Sequence, residues 1–277
     1  MLLDPIKVSR IDPKTMLFMY NEDVHPHPDG EYPVPGNCVL ELAPEPGGNA
    51  RAKWISDVPL ISFNFGREGT GRWEVVEYYL KTDLFLASNG AQYEIDSDVD
   101  GESYAGIGPL PAWLTLESRP SRFHHYTGGA WVLDEQEKLA SLVADKVAEL
   151  SAACQAQIYA GFESSALGVA HHYPALDKDQ QNLTASVLDS TVPGLPEGWQ
   201  TPFWCELEGV WAFRMHSAEQ IQTVGRDGKQ VILACMAQNA VLAGLARAVA
   251  DNFSSGAGDL AAATSDLATI VWVAPQL

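Results

Sequence analysis

The sequence predicts an α+β protein: a mostly-β N-terminal domain, then a helix leading into a small α+β domain of helix–hairpin–helix type. Three observations carry that expectation. Residues 1–132 read as short alternating apolar and polar runs, broken repeatedly by proline and glycine. At Asp134 the pattern changes to apolar residues spaced three and four apart. Beyond Gly161 a second hairpin pattern is followed by the Ala- and Leu-rich run from Val231 to Val249. The expected domains are therefore 1–132 and 133–277, the second entered by a helix over 134–160.

Taken in order, Ile6 to Ile11 alternates as a strand does, and Met16 to Tyr20 reads as a second one. His25 to Asn37 is dense in proline, which fixes φ and removes backbone donors, so it reads as an extended, turn-rich surface segment. Cys38 to Leu40 with Leu42 suggests a short strand, and Pro44 to Asn49 a loop. Trp73–Glu77 and Tyr79–Ala87 alternate as strands. Asn89-Gly90 then supplies the residue pair of a two-residue hairpin turn, with Gln92 to Ile95 returning. Tyr104 to Arg119 is turn-rich and aromatic, and Phe123, Tyr126 and Trp131 surround Gly128-Gly129.

Asp134 is placed to cap the next helix, with Glu137 at capping-box spacing. Leu139, Val143, Val147, Leu150, Cys154 and Ile158 form one stripe on that helix, suited to core packing or, alternatively, to a self-associating seam. The segment Leu167 to Tyr173 reads as strand and turn. Asp177 or Asp179 caps a helix through about Leu188, stopped near Pro193-Gly194. Phe203–Leu207 and Val210–Met215 are two strands joined at Glu208-Gly209. Ser217 with Gln220 repeats the capping-box spacing and opens a helix that Gly225-Arg226-Asp227-Gly228 is expected to interrupt. The run Ile270 to Val273 reads as a closing strand or anchor.

Composition narrows the function. The 277 residues carry 17 Lys+Arg against 36 Asp+Glu, a net charge of -19. Such a surface repels phosphate backbones and anionic lipid, so no nucleic-acid partner is expected. No apolar run approaches the ~20 residues a membrane span needs, and no secretory leader is read at the N-terminus. Cys38, Cys154, Cys205 and Cys235 are scattered without a Cys-x-x-Cys, which predicts reduced, buried thiols in a cytoplasmically made protein.

Candidate chemistry is sparse. Asp96, Asp98 and Asp100, followed by Gly101, have the first half of a calcium loop. Ile107 stands where a bidentate Glu belongs, so an acidic surface loop is the preferred reading and Ca²⁺ the alternative. The histidine pairs 124/125 and 171/172 are adjacent, and adjacent residues on a strand point to opposite faces, which opposes a shared metal. Gly66 to Gly71 lacks the Lys-Ser/Thr of a phosphate loop and precedes a strand. With no nucleophile elbow in the sequence, no catalytic residue is assigned and an enzyme is not expected.

Two stretches resemble known families. In the first, the Pro-rich opening leads to Gly30-Glu31-Tyr32-Pro33-Val34-Pro35. Gly71-Arg72-Trp73-Glu74-Val75-Val76-Glu77, Tyr79 to Thr82, Asn89-Gly90 and Leu110 to Thr115 follow it. Residues 1–132 on this basis resemble the N-terminal domain of tailed-phage tail-fibre assembly proteins. In the second, Gly161, Phe162, Leu167, Tyr173, Gln181, Leu183, Trp211, His216 and Gln220 carry the likeness. Residues 134–250 are similar to an uncharacterised domain recurring in phage tail-fibre proteins, with no catalytic role attached. The resemblance implies a structural or accessory protein of a phage tail, made in the host bacterial cytoplasm and located at the virion tail or acting as an assembly chaperone. Its implied partner is the tail fibre or another tail or baseplate protein, and a homotrimer follows by analogy with fibres. The alternatives are a host-surface receptor-binding module and, behind it, a glycan-degrading tail enzyme.

Overall fold

A computed structural model describes residues 4–276, and the chain divides into two compact units, 1–133 and 134–277. The fold is mixed α+β, with sheets first and helices toward the C-terminus, as the patterning predicts.

The first unit is built from short antiparallel strands: β1 (Ile6–Ile11), β2 (Phe18–Val24), β3 (Cys38–Val39), β4 (Ala50–Ser56), β5 (Gly71–Glu77), β6 (Leu84–Leu86), β7 (Gln92–Tyr93), β8 (Leu114–Thr115), β9 (His124–Thr127) and β10 (Ala130–Leu133). They form sheets in the orders β2-β1-β3, β4-β5, β7-β6-β8 and β10-β9. The first three of these sheets each bury a few apolar side chains: Val8 and Ile11 from β1, Trp54 from β4, Leu84 and Tyr93 from the third. Beside β1, Arg10 forks onto Glu22, with Nε to Oε2 at 3.2 Å and Nη2 to Oε1 at 2.9 Å, and the Cys38 thiol donates to the same carboxylate at 3.0 Å. Burial, reinforced by that carboxylate, pushes the Cys38 thiol up to about 12, so it stays a neutral donor.

Three sequence expectations change here. Asn89-Gly90 does not make a two-residue turn. Leu86 N–H bonds Ala91 O at 2.8 Å, leaving a four-residue loop in which only Gly90 has positive φ. The strand expected over Tyr79–Ala87 shrinks to β6, because Tyr79 N–H turns away to Gly106 O. Strand β4 was not anticipated, although Ala52 and Trp54 alternate inward along it. By contrast, Gly128-Gly129 is a two-residue turn with both φ positive, closing the β9–β10 hairpin.

The second unit runs α1 (Glu135–Tyr159), β11 (Phe162–Ser164), β12 (His171–Tyr173), α2 (Asp177–Asp189), β13 (Gln200–Leu207), β14 (Val210–Ser217), α3 (Ala218–Ser254) and α4 (Leu260–Thr269). The four strands form one antiparallel sheet in chain order. Asp134 caps α1 by accepting from Glu137 N–H at 2.8 Å. The α1 stripe packs inward, as a core face should: Leu139, Val143 and Leu150 meet Leu242 and Ala246 of α3 and Ala263 and Leu267 of α4. A second core joins the sheet to the helices through Phe162, Tyr173, Phe203 and Cys205, which pack with Leu183 of α2 and Ile221 and Val224 of α3.

Here too the structure departs from the reading. Helix α3 is one uninterrupted helix through Gly225 and Gly228. Those glycines let other elements approach: a Cβ on Gly228 would sit 2.6 Å from Cζ of Phe162, and one on Gly225 would sit 2.7 Å from Cγ2 of Val187. Neither Asp177 nor Asp179 is the α2 cap. Leu176 occupies that position, and Asp179 accepts its N–H at 3.2 Å from the first turn. Ile270 to Val273 forms no strand. Ile270 is buried, and Trp272 packs against the α1–α3–α4 core. Helix α3 is also long and apolar enough to cross a membrane by length and composition, which corrects the expectation that no such segment exists.

Candidate functional site

The resemblance-derived residues separate into two groups. Gly161, Phe162, Leu167, Tyr173, Leu183, His216 and Gln220 build the fold of the second unit. Gly161 has φ 91°, and a Cβ there would strike the carbonyl of Tyr173 and, at 2.6 Å, Nε2 of His172. Phe162 stacks on Tyr173 at 5.6 Å in the core, where Leu183 is also buried and Leu167 packs alongside. The Tyr173 hydroxyl lies 2.8 Å from His216 Nε2, and His216 Nδ1 lies 2.8 Å from Arg214 O. Burial lowers the His216 pKa from its usual value, so the ring is held neutral. Gln220 closes the α3 capping box, accepting from Ser217 N–H at 2.8 Å while its own N–H reaches Ser217 Oγ at 3.3 Å. Only Trp211 and Gln181 face outward.

Trp211 leads to the surface of interest. Strand alternation sends Phe203, Cys205 and His216 into the core and Trp204, Trp211, Phe213 and Met215 to the opposite face of the sheet. Register brings those outward residues together, with Trp204 across from Phe213, Glu206 from Trp211 and Pro202 from Met215. Trp204 and Trp211 lie nearly parallel, 6.2 Å apart and inclined by 17°, and Phe213 meets Trp204 edge-on at 4.9 Å. Phe213 is 69% exposed and Trp204 40%. On the β12 side, His172 meets Trp211 edge-on at 5.8 Å and pairs with Glu163 at 3.0 Å, giving the aromatic stripe a polar edge. This face is an open sheet and not a groove, and its chemistry is that of contact: flat rings, a thioether and a few polar groups at the margin.

The other sequence candidates lie elsewhere. Asp96, Asp98 and Asp100 do not converge on a common point among the described residues, and Asp98 accepts Gly101 N–H at 3.3 Å within its own turn. Asp96, Asp100 and Gly101 all have positive φ, the backbone of a tight acidic turn. His171 is buried and His172 half-exposed, on opposite faces as adjacency predicts. A cleft of about 380 Å³ lies between α2 and α3, floored by Phe162, Gly225 and Gly228, with Arg226 and Lys229 among its lining. Sequence reading also passed over Ile61 and Phe63 in the first unit, 96% and 87% exposed on the loop between β4 and β5. Their signal was two large apolar residues alternating with Ser62 and Asn64 in a short run after Pro59.

Residues 141–269 match a family described as Domain of unknown function (DUF4376). The DUF4376 segment begins within α1 and ends with α4, so it contains the whole four-stranded sheet, its aromatic outer face and the Tyr173–His216 pair. No curated protein and no solved structure matches the chain.

Proposed function

We propose that this protein is a structural or accessory component of a bacteriophage tail that binds the tail fibre or receptor-binding apparatus, as a virion component or as a fibre-assembly chaperone. The observation that carries the binding role is the open aromatic face of the β11–β14 sheet. Large rings held on a rigid sheet present contact area at little cost in conformational entropy, which is the character of binding hot spots. The tail assignment draws on the motif resemblances in both halves of the chain, and the DUF4376 domain is compatible with it. The residues of the face are suited to recognition, and the reading assigns them no catalysis.

Co-expression with a phage tail-fibre protein tests the reading. The two proteins are expected to co-purify, and the double substitution Trp204→Ala and Phe213→Ser is expected to abolish capture while the fold persists. Failure to co-purify, together with absence from purified virions, overturns it. A second reading, binding of a host-surface glycan, is favoured by the parallel Trp204 and Trp211 rings, since flat exposed rings accept the C–H faces of sugars. A glycan array distinguishes the two.

A further inference from the structure

The cleft between α2 and α3 is walled by one face of each helix. Leu183 and Val187 line it from α2, and Arg226, Lys229 and Ile232 from α3, at the spacings of three and four that keep side chains on one face. Phe162 and Leu183 belong to the core, and Val187 and Ile232 are half-buried beside them, so the interior is apolar. Gly225 and Gly228 also line the cleft and put no side chain into it. Its volume of about 380 Å³ lies within the ~300–1,000 Å³ of small-molecule sites.

Most polar groups along the cleft are already committed. Gln180 Nε2 donates to Ala175 O at 2.8 Å, Thr184 Oγ1 to Gln180 O at 2.8 Å, and Gln222 Nε2 to Ser190 Oγ at 3.2 Å. Arg226 and Lys229 are the exceptions. Arg226 Nη2 donates to Thr223 Oγ1 at 3.0 Å, and among the described residues neither cation pairs with a carboxylate. Asp227, which stands between them in the chain, accepts from Ser164 Oγ at 2.6 Å instead. In a chain with 36 acidic residues against 17 basic ones, this lining holds two cations and no acid.

We propose that the cleft binds a small apolar molecule carrying one anionic group, its body against Phe162, Leu183 and Val187 and its anion at Arg226 and Lys229. Apolar walls supply most of the contact in small-molecule sites, and a few polar groups fix the orientation. Here the polar groups left uncommitted are both positive and both stand on α3, so they orient such a ligand in one sense. At physiological salt, exposed charges more than about 8 Å away are largely screened, so the two local cations outweigh the chain's distant acids. An uncharged ligand would leave both cations unused, and inorganic phosphate would gain nothing from the apolar walls. The site is separate from the aromatic sheet face and stands whether or not the chain binds a tail fibre.

Amide NMR titration of the full chain with octanoate, and with octanol as its uncharged counterpart, tests the proposal. Octanoate is expected to saturate one site and to shift the signals of Leu183, Val187, Gly225 and Gly228. It should bind roughly tenfold more tightly than octanol, the increment of one charge-assisted contact. Arg226→Gln combined with Lys229→Gln should remove that advantage and leave octanol binding unchanged; both side chains are exposed, so no core contact is lost. Thr184→Trp, at an exposed position on the cleft's edge, should exclude both probes. Phe213→Ser, on the sheet, should alter neither. The proposal is overturned if octanoate does not bind at roughly 10 mM, if octanol binds as tightly, or if the shifts gather on the sheet around Trp204. Octanoate binding that survives Thr184→Trp overturns it too. Should the double variant fail to fold, the octanoate–octanol comparison and Thr184→Trp decide the matter.

Discussion

The Tyr173 hydroxyl and His216 Nε2 lie 2.8 Å apart between the sheet and α3, and each fixes the other's proton. Because Arg214 O accepts from Nδ1, the ring's one hydrogen sits there, and Nε2 must receive the phenolic proton. Tyr173 is fully buried, and so is His216. Tyr173→Phe therefore keeps the shape of the ring and strands a buried acceptor. The expected cost is about 1–3 kcal/mol, read as a lower urea midpoint at unchanged slope.

The same pair predicts a pH dependence. Burial depresses the folded-state pKa of His216, with His171 and the Arg214 guanidinium adding to it. The unfolded ring titrates near the ordinary value of about 6.5. Above that pH both states are neutral and the His216 contribution is fully present. As pH falls below it the unfolded chain takes up a proton that the folded one refuses, so stability is lost progressively toward the folded pKa. Denaturation midpoints measured from neutrality down to acid should decline, and His216→Gln should flatten part of that decline while lowering stability at neutral pH.

Gly228 offers a test of close packing within a helix. Alanine is normally the better helix former, so Gly228→Ala at an open position would stabilise. Here the new methyl would lie 2.6 Å from Cζ of Phe162, a ring stacked on Tyr173 and unable to retreat freely. Overpacking should win, with a net loss of about 1–2 kcal/mol. Thermal melts of this variant should fall below the wild type, whereas a rise would mean that the sheet and α3 are less tightly held than the geometry requires.

These residues also show what was legible from the sequence. The caps of α1 and α3 were, because Asp134 with Glu137 and Ser217 with Gln220 are local arrangements that depend only on spacing, whereas the α2 cap fell to Leu176 and not to Asp177 or Asp179. The β13–β14 hairpin was too, since strand alternation and Glu208-Gly209 agree on one register. Gly225 and Gly228 misled for a physical reason: glycine marks both a helix end and a place where another element comes close, and the neighbours responsible, Val187 and Phe162, are far away in sequence. Asn89-Gly90 failed likewise, the register of β6 with β7 placing the turn one residue earlier and making it longer. The aromatic face was visible only in part. Trp211 was singled out, but its grouping with Trp204 and Phe213 depends on knowing which side of the sheet α2 and α3 cover.

Phe213 tests that face without disturbing the core. It projects into solvent from β14, so Phe213→Ser should change stability by no more than about 0.5 kcal/mol. Solubility should rise as the apolar patch shrinks. Capture of the fibre partner should fall, and the separation of the two readouts is the test. A large loss of melting temperature would instead assign Phe213 a structural role.

The β13–β14 turn supplies a stabilising substitution. Leu207 pairs with Val210, leaving Glu208 and Gly209 as a two-residue connection with φ of 53° and 80°. Both left-handed positions match the twist of the flanking strands, but glutamate occupies the first against its own steric preference. Its Cβ crowds the backbone there, whereas asparagine tolerates that conformation far better. Gly209 N–H bonds to the carboxylate of Glu206, not to Glu208, so nothing in the turn depends on the side chain being replaced. Glu208→Asn should therefore stabilise the protein by about 0.5–1 kcal/mol, with the gain appearing as a higher melting temperature. Glu208→Val, which adds β-branching at the same positive φ, should shift it the other way. Equal melting temperatures for the two variants would show that the turn relaxes away from this geometry.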